Sequence, residues 1–440
     1  MATATILLAV AATSCAHAFQ PSLLPLTSTR ISSSSPFPSS SSSAGYRSIP
    51  SRARAWRCSA RDDGRRTVEE TRVNRREAAV VLSSIVLLPT LTSAAAQDDV
   101  KLPLAPPGGP RNIVITGSSS GIGKDAACKL AAGGYNVFLA CRTMEKAMEA
   151  RDSVEEEVKL LASKAGRSPG ELTAMECDLS SLSSIKKFAD EWNKSGKPID
   201  VLVLNAGVAL NTGARPPPPR TKDGFEVTVG TNHLGHFYLT NLLLPAVEKS
   251  SAAPRIVVTA SQVHDPSSPG GNVGSKATLG DMQGLAAGID WEMVDGGGWD
   301  ADKAYKDSKL CNVLFTRELQ RRLEDKGSKV TCNCFSPGLI TRTGLFRDQG
   351  GFFLSAFDFI ANNVVRVAET VSFGGDCLVT MAVSDALEGK RGVFWSNSKP
   401  GKHTFEEVEV SAEAKDAQKA RRLWELSEQA IALALKKQQA

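Results

Sequence analysis

Two side chains in the second half of the chain have the types and the spacing for proton transfer. Tyr305 and Lys309 lie four residues apart in Ala301–Leu323, whose periodicity predicts one long helix, so both side chains should share a face. A lysine ammonium beside a phenol favours the ionised phenol and lowers its pKa. The pair therefore indicates a candidate acid that gives a proton to a substrate.

A second candidate site is the glycine-rich stretch Asn112–Gly123, which reads NIVITGSSSGIG. An apolar run is followed by Gly117, Gly121 and Gly123. Glycines at such a turn permit a tight bend, a close approach of the backbone to a pyrophosphate, and close packing of the next helix on the strand. The pyrophosphate would bind the free N–H groups at the helix N-terminus. An ordinary strand-to-helix turn is the alternative interpretation.

The elements that would position these residues alternate between strand-like and helix-like patterns. This alternation predicts an α/β fold, a doubly wound parallel sheet of Rossmann type with helices on both faces. Helical periodicity also marks Ser180–Trp192 and Phe225–Leu244. The six predicted strands are Ile113–Thr116, Asn136–Cys141, Leu172–Cys177, Asp200–Leu204, Arg255–Ala260 and Val330–Phe335.

The residues after the second and third strands favour a particular dinucleotide. Arg142 ends the second strand with no acid beside it, and Lys146 lies one helical turn on. An acid here would bind the ribose 2′-hydroxyl of NAD, whereas a basic residue accepts the 2′-phosphate of NADP. The pattern favours NADPH, although Arg142 could instead only cap a strand end. Asp178 and Leu179 follow the third strand and could face the adenine.

Metal chemistry is not expected. His233 and His236 are three residues apart in a predicted helix, but no acid or cysteine stands near them, so packing in the helix is the favoured interpretation. The nine cysteines form no C-x-x-C pair, and neither a disulfide framework nor a zinc site is indicated. Cys332 and Cys334 should share one face of the sixth strand and lie in the core.

The first 97 residues read as targeting sequence. Residues 1–18 resemble a signal peptide, and 19–74 form a serine- and arginine-rich transit-type segment. Residues 75–97 contain Arg75-Arg76 and a short apolar run, which indicates either a thylakoid-type signal or a hydrophobic anchor. The order resembles the bipartite leader of algal secondary plastids. We expect this region to be disordered and a single catalytic domain with a helical tail to occupy 110–440.

The charge distribution follows the same division. Residues 1–97 carry 11 of the 52 Lys and Arg residues but only 5 of the 47 Asp and Glu residues, so the net charge of +5 comes from this region. The remainder is close to neutral, which argues against a nucleic-acid partner.

Taken together, the motifs resemble the short-chain dehydrogenase/reductase superfamily. They are T-G-x-x-x-G-x-G at Thr116–Gly123, N-A-G at Asn205–Gly207, Y-x-x-x-K at Tyr305–Lys309, the single residues Asn232 and Ser261, and P-G at Pro337-Gly338. The resemblance implies a catalytic set of Asn232, Ser261, Tyr305 and Lys309. Ser261 would orient the substrate or the tyrosine hydroxyl, and Asn232 would hold a water that links Lys309 to solvent.

The same resemblance implies a cofactor site that draws on most of the sheet. Its expected residues are Gly117, Ser119, Ser120, Gly121, Ile122, Gly123, Arg142, Lys146, Asp178, Leu179, Asn205, Ala206, Gly207, Tyr305, Lys309, Pro337, Gly338 and Thr343.

Longer stretches resemble the light-dependent protochlorophyllide oxidoreductase family. They are Thr228–Phe237, Asn272–Leu285, Lys303–Asn312, Thr343–Arg347 and Ser411–Gln429. This resemblance implies NADPH, a tetrapyrrole pigment as substrate, light-driven hydride transfer and a proton from Tyr305. It also implies a plastid location, stromal or thylakoid-associated. Two departures are Gly207, where that family usually has alanine, and Leu339, where it usually has a cysteine near the pigment.

Three functions remain open from the sequence. The first is light-driven reduction of protochlorophyllide. The second is a dark NADPH-dependent reductase of an apolar carbonyl or polyene, retinoid- or carotenoid-like, and the third is a pigment-binding scaffold without turnover. Peripheral association with the thylakoid membrane and a homo-oligomer are compatible with the resemblance.

Overall fold

The computed structural model describes residues 102–106, 111–341, 368–399 and 401–439. Eight strands in these ranges form one sheet in the order β3-β2-β1-β4-β5-β6-β7-β8. Neighbouring strands are parallel except for the antiparallel pair β7 and β8. The strands are β1 Asn112–Thr116, β2 Asn136–Cys141, β3 Leu172–Glu176, β4 Val201–Leu204, β5 Arg255–Thr259, β6 Thr331–Ser336, β7 Phe394–Lys399 and β8 Thr404–Glu407. The strand order reverses between β1 and β4, where open α/β sheets bind ligands at the carboxyl ends of the strands.

Helices cover both faces of this sheet. The longer ones are α1 Gly121–Ala132, α2 Met144–Lys164, α3 Leu182–Ser195, α4 His236–Glu248, α5 Ala301–Asp325, α6 Val371–Val383 and α7 Ala417–Gln439. Helices α1, α2 and α6 share one apolar core, and α3, α4, α5 and α7 share the other. Strand β1 contributes to both cores, because Ile113 and Ile115 point into the first core and Val114 points into the second. The doubly wound parallel sheet is therefore confirmed.

The six strands expected from sequence are confirmed, with ends that differ by at most one residue. Strands β7 and β8 were missed. In β7 the polar residues Ser396 and Asn397 are fully buried, so the strand lacks the continuous apolar run that marks a buried parallel strand. The antiparallel edge strand β8 is partly exposed and ends in two glutamates.

The prediction of one uniform helix over Phe225–Leu244 is wrong in its details. A short helical turn, Val227–Val229, leads into a π-helical turn, Gly230–Gly235, and then into α4. Gly235 faces the backbone of Leu179, and a Cβ at this position would lie only 2.4 Å from the Leu179 carbonyl oxygen. Hydrophobic periodicity does not separate a π-turn from an α-turn, so the sequence pattern could not reveal it.

The C-terminal helix α7 supports the helix that carries Tyr305 and Lys309. Trp424 of α7 stacks against Phe315 of α5 at 5.9 Å between ring centroids, and meets Phe237 of α4 edge-on at 4.7 Å. The Arg322 guanidinium lies 4.3 Å from the Trp424 ring centroid. Aromatic contacts of this kind add about 0.5–1.5 kcal/mol each to the gain from burial. Helix α7 thus packs against α4 and α5.

The predicted leader segments, 1–18, 19–74 and 75–97, lie outside the described residues. Of the helices that are described, none combines the length and the apolar character needed to cross a membrane. Cysteines in the described ranges are buried and free, including Cys332 and Cys334 of the β6 core. Within the same ranges no group of His, Cys, Asp and Glu side chains is arranged to hold a metal ion.

Candidate active site

The turn between β1 and α1 depends on glycine for its backbone conformation and for its packing. Gly117 and Gly121 have φ values of +67° and +58°, a region that side chains other than glycine rarely adopt. A Cβ on Gly117 would lie 2.6 Å from the Ala206 Cα atom, and one on Gly123 would lie 2.6 Å from the Asn205 Nδ2 atom. The turn therefore packs directly on the loop after β4, and this packing requires glycine.

The N-terminus of α1 offers hydrogen-bond donors at this turn. Its N-cap residue, Ser120, is exposed and makes no side-chain cap, so the first N–H groups of the helix are not bound by it. Ser119, Gly121 and Ile122 are half-buried beside it. Free N–H groups and the positive end of the helix dipole are what a pyrophosphate binds, so these residues fit a dinucleotide.

Thr116 ties this turn to the loop Asn205–Gly207. Its hydroxyl oxygen accepts hydrogen bonds from the N–H groups of Asn205, at 2.9 Å, and Ala206, at 3.1 Å. The Asn205 side chain donates in return to the Thr116 carbonyl at 3.0 Å. The two loops that flank the crevice are thus held as one unit.

The residues expected at the adenosine end lie after β2 and β3. Arg142 is exposed, and the Lys146 N–H donates to the N-cap hydroxyl of Thr143 at the start of α2, 3.3 Å away. Among the described residues, no acidic side chain forms an ion pair with the Arg142 guanidinium.

Asp178 is already engaged by the protein. Its carboxylate accepts hydrogen bonds from Lys222, at 2.9 Å, and from the Ser180 hydroxyl, at 2.7 Å. Burial opposes ionisation, but these bonds outweigh it and hold the pKa of Asp178 below its usual value. Leu179 is buried against the π-turn. The adenine contact expected for this pair stays a prediction.

The four candidate catalytic residues converge beside the carboxyl end of β5. The Ser261 side chain lies beside the Tyr305 phenol and favours its ionised form, and the Lys309 ammonium lies 5.5 Å from the centroid of the Tyr305 ring. Lys309 donates to the Thr259 carbonyl at 3.1 Å. A Cβ placed on Gly207 would lie 3.4 Å from Asn232 Oδ1 and 3.7 Å from Lys309 Nζ. The loop Asn205–Gly207 therefore reaches the candidate catalytic residues.

Burial sets the protonation of the two reactive groups. Lys309 is 3% exposed, and burial lowers its pKa to about 8. Burial also raises the pKa of the half-buried Tyr305, although the neighbouring Ser261 side chain acts in the opposite direction. Tyr305 therefore carries its proton at neutral pH, and the adjacent ammonium and hydroxyl are placed to stabilise the phenolate that proton loss would create.

Asn232 lies in the middle of the π-turn and is fully buried. Its Oδ1 atom accepts from the Val208 N–H at 2.8 Å, while Nδ2 donates to the Val208 carbonyl and to the Ser308 hydroxyl, both at 3.0 Å. Both amide hydrogens are thus used within the protein. The expected water would have to reach Oδ1 or a nearby carbonyl. Sequence reasoning missed these two partners because Val208 follows the N-A-G motif and Ser308 occupies a variable position of Y-x-x-x-K.

The P-G motif after β6 adopts the conformation that its glycine allows. Gly338 has a φ of +90°, and a Cβ there would lie 3.1 Å from Asn397 Nδ2 and 3.2 Å from Glu369 Cγ. Pro337 is half-buried beside it. Asn397 donates to the buried Glu369 carboxylate at 2.6 Å, so two residues that the sequence did not single out fix this segment. Thr343, the remaining expected cofactor residue, lies outside the described residues.

An insert between Ser261 and Tyr305 is held on α5 by hydrogen bonds between its backbone and charged side chains of that helix. Lys306 bonds to Asp302 at 2.8 Å and to the Ser275 carbonyl at 2.8 Å. One turn away, Lys303 bonds to Asp307 at 2.5 Å. The Thr278 N–H donates to Asp307 as well. These contacts hold the insert on the helix that carries the candidate catalytic pair.

Comparison with known proteins agrees with this geometry. Residues 111–283 match the short chain dehydrogenase family. The chain is 40% identical over 328 residues to the chloroplastic protochlorophyllide reductase of Cucumis sativus, covering 73% of this chain and 78% of the relative. It is 40% identical to the protochlorophyllide reductase of Avena sativa, with 73% of this chain and 100% of that relative covered.

Among solved structures, an uncharacterised protein from Mycobacterium paratuberculosis has a similar fold. The TM-score is 0.54 at 31% identity, over 76% of this chain and 97% of the other. The fold and the extent of the sequence identity lead to the same family. The chain belongs to the protochlorophyllide reductase family of short-chain dehydrogenases.

Proposed function

We propose that this protein reduces protochlorophyllide to chlorophyllide with NADPH in a light-driven step of chlorophyll biosynthesis in the plastid. The observation that carries the proposal is the cluster of Ser261, Tyr305 and Lys309 beside the glycine-rich turn, in a chain that shares 40% identity with plant reductases of this name. A complete proton-donating set favours an enzyme over a pigment-binding scaffold.

The chain's own residues account for the proton half of the reaction. When bound, NADPH supplies the hydride, so the substrate double bond needs one proton in addition. Tyr305 donates it: the phenolic O–H bond breaks and a C–H bond forms on the substrate. The Lys309 ammonium and the Ser261 hydroxyl stabilise the phenolate, which then recovers a proton from solvent.

One assay separates the three functions left open by the sequence. Purified protein is mixed with NADPH and protochlorophyllide, and identical samples are kept dark or illuminated, with NADPH omitted as the control. We expect chlorophyllide only in the illuminated, NADPH-containing sample. Dark reduction of a retinoid- or carotenoid-like carbonyl without photoproduct would move the assignment to the second function. Bound pigment without turnover under either condition would favour a scaffold.

Arg142 supports the choice of NADPH over NADH. We expect Arg142→Ala to raise the Kd of NADPH at least about tenfold and to leave that of NADH unchanged, because a guanidinium–phosphate contact is worth about 1.5–3 kcal/mol. Fluorescence titration of both cofactors measures this. Arg151→Ala removes another partly exposed arginine of the same region and should change neither Kd. Equal affinities of the wild type for NADPH and NADH would contradict the assignment.

Leu339 offers a test of how the pigment site works. Its carbonyl accepts from the Glu369 N–H at 2.7 Å, and its side chain is half-buried, where the family usually has a thiol. Because Tyr305 and Lys309 are in place, we expect Leu339→Cys to change the product yield per flash by less than about twofold. The measurement compares both proteins at equal pigment occupancy. A large gain from the cysteine would mean that the thiol relays a proton.

We propose that the leader delivers the protein to the plastid. Its three segments are 1–18, 19–74 and 75–97. A fluorescent reporter fused to residues 1–97 should accumulate in plastids, and removal of residues 1–18 should abolish import. Peripheral thylakoid association and a homo-oligomer stay predictions, which flotation with thylakoid membranes and light scattering would test.

A further inference from the structure

His236 is a buried histidine that joins two parts of the candidate site. It is 2% exposed and begins α4 directly after the π-turn. Its Nδ1 atom lies 3.1 Å from the Asn232 carbonyl oxygen, and its Nε2 atom lies 2.9 Å from the Thr116 hydroxyl. A carbonyl can only accept, so Nδ1 must carry the hydrogen.

The hydrogen bonds at the Thr116 hydroxyl determine whether it donates to His236 Nε2 or accepts from it. The oxygen has two lone pairs, and the N–H groups of Asn205 and Ala206 approach it at 2.9 and 3.1 Å. The hydroxyl hydrogen therefore points to an acceptor. His236 Nε2 is at 2.9 Å, whereas the alternative, the Val203 carbonyl, is at 3.3 Å. His236 thus accepts from Thr116 as the neutral imidazole, and burial lowers its pKa to about 4, which keeps it neutral at physiological pH.

The π-turn creates the geometry for this contact. In a regular α-helix the His236 N–H would bond to the Asn232 carbonyl, but here it bonds to the His233 carbonyl. The His236 ring donates from Nδ1 to the Asn232 carbonyl. A single side chain then connects the backbone of Asn232 with the end of β1 and, through Thr116, with the loop that carries Gly207.

We propose that His236 is a positioning residue for the dinucleotide site: by orienting the Thr116 hydroxyl, it holds the loop Asn205–Gly207 in register with Asn232 and Lys309. The inference rests on the proposed NADPH-dependent function. Without His236 the Thr116 hydroxyl can turn toward the Val203 carbonyl, and its lone pairs then turn away from the two N–H groups that fix the loop.

The neighbouring His233 provides a matched control. It is also buried, at 1% exposure, but it faces the other way, with Nε2 2.9 Å from the Ser427 hydroxyl of α7. Its ring packs near Phe237 and Phe315, with centroids 6.0 Å apart in both cases. Replacing either histidine by phenylalanine makes the same chemical change at positions three residues apart in the chain. Only His236 contacts Thr116.

The experiment measures the Kd of NADPH in the dark by fluorescence titration, together with the Tm of each protein without cofactor. We expect His236→Phe to raise the Kd about three- to tenfold, the effect of one or two lost hydrogen bonds. His233→Phe should lower the Tm and leave the Kd within about twofold of wild type. His236→Gln, whose amide can replace Nε2 at Thr116, should stay near wild type, whereas the shorter His236→Asn should not.

A double-mutant cycle tests whether His236 acts through Thr116. Thr116→Val removes the hydroxyl, so adding His236→Phe should cause no further loss of affinity. Additive losses, or an equal loss from His233→Phe, would overturn the inference. If His236→Phe does not fold, the Gln and Asn variants decide the same question. Wild-type protein that does not bind NADPH would refute the proposed function, whereas wild-type binding that no His236 variant alters would refute only this inference.

Discussion

Replacing Tyr305 by phenylalanine is expected to lower product formation at least about a hundredfold, the usual contribution of a positioned acid, while the Kd of NADPH changes by less than about twofold. The variant removes one hydroxyl and little volume from a half-buried side chain. It also leaves Lys309 bonded to the Thr259 carbonyl. Only the proton donor is lost. Product yield per flash and NADPH titration, done on the same preparation, measure the two effects.

Tyr238→Phe is a suitable control for this variant. Tyr238 is a half-buried tyrosine of α4 that lies outside the candidate site. Its loss should leave product formation unchanged. Wild-type product yield from Tyr305→Phe would show that the proton comes from another group, and the mechanism assigned to this site would be wrong.

Lys309→Met is expected to abolish most turnover and to make the fold more stable. The buried ammonium has a pKa of about 8, below its usual value of 10.5, so folding disfavours its charged form. Between pH 8 and 10.5 the unfolded chain binds a proton that the folded one does not, and the free energy of unfolding of the wild type should rise with pH there. Methionine removes the charge while keeping most of the volume. We expect a gain of about 1–2 kcal/mol at pH 7 after the lost hydrogen bond is deducted.

The same pKa predicts how cofactor affinity depends on pH. Below pH 8 Lys309 is charged and can donate to the cofactor, and above it the charge is lost. The Kd of NADPH for the wild type should therefore rise as the pH increases through about 8, and this dependence should be absent in Lys309→Met. Lys187→Met, which removes an exposed lysine of α3, should retain it. Denaturant unfolding and NADPH titration across this pH range provide both measurements, and a pH-independent Kd in the wild type would contradict the prediction.

Local sequence was sufficient to predict the strand, the glycine turn and the helix that carry the candidate site. The short β-branched run Ile113–Thr116 is buried on both faces, and its apolar pattern bounded by a turn is what predicted a parallel strand. Glycine is needed at Gly117 and Gly121 because of their backbone conformation, which is a local property. The separation of Tyr305 and Lys309 is likewise set by one helical turn. Each of these features depends on residues close together in the chain.

The tertiary structure decided what depends on residues far apart. Strand β7 buries Ser396 and Asn397 because β6 and β8 flank it and supply its backbone partners, and no local pattern reports that. The pKa of Lys309 follows from burial by several elements, so the sequence gives its position but not its charge. His236 was expected to be a packing residue. Its link to Thr116, 120 positions away, exists because the fold brings the start of α4 beside the end of β1. Residue types and local spacing identify the groups that could react, whereas the packing of distant segments sets their protonation and mutual placement.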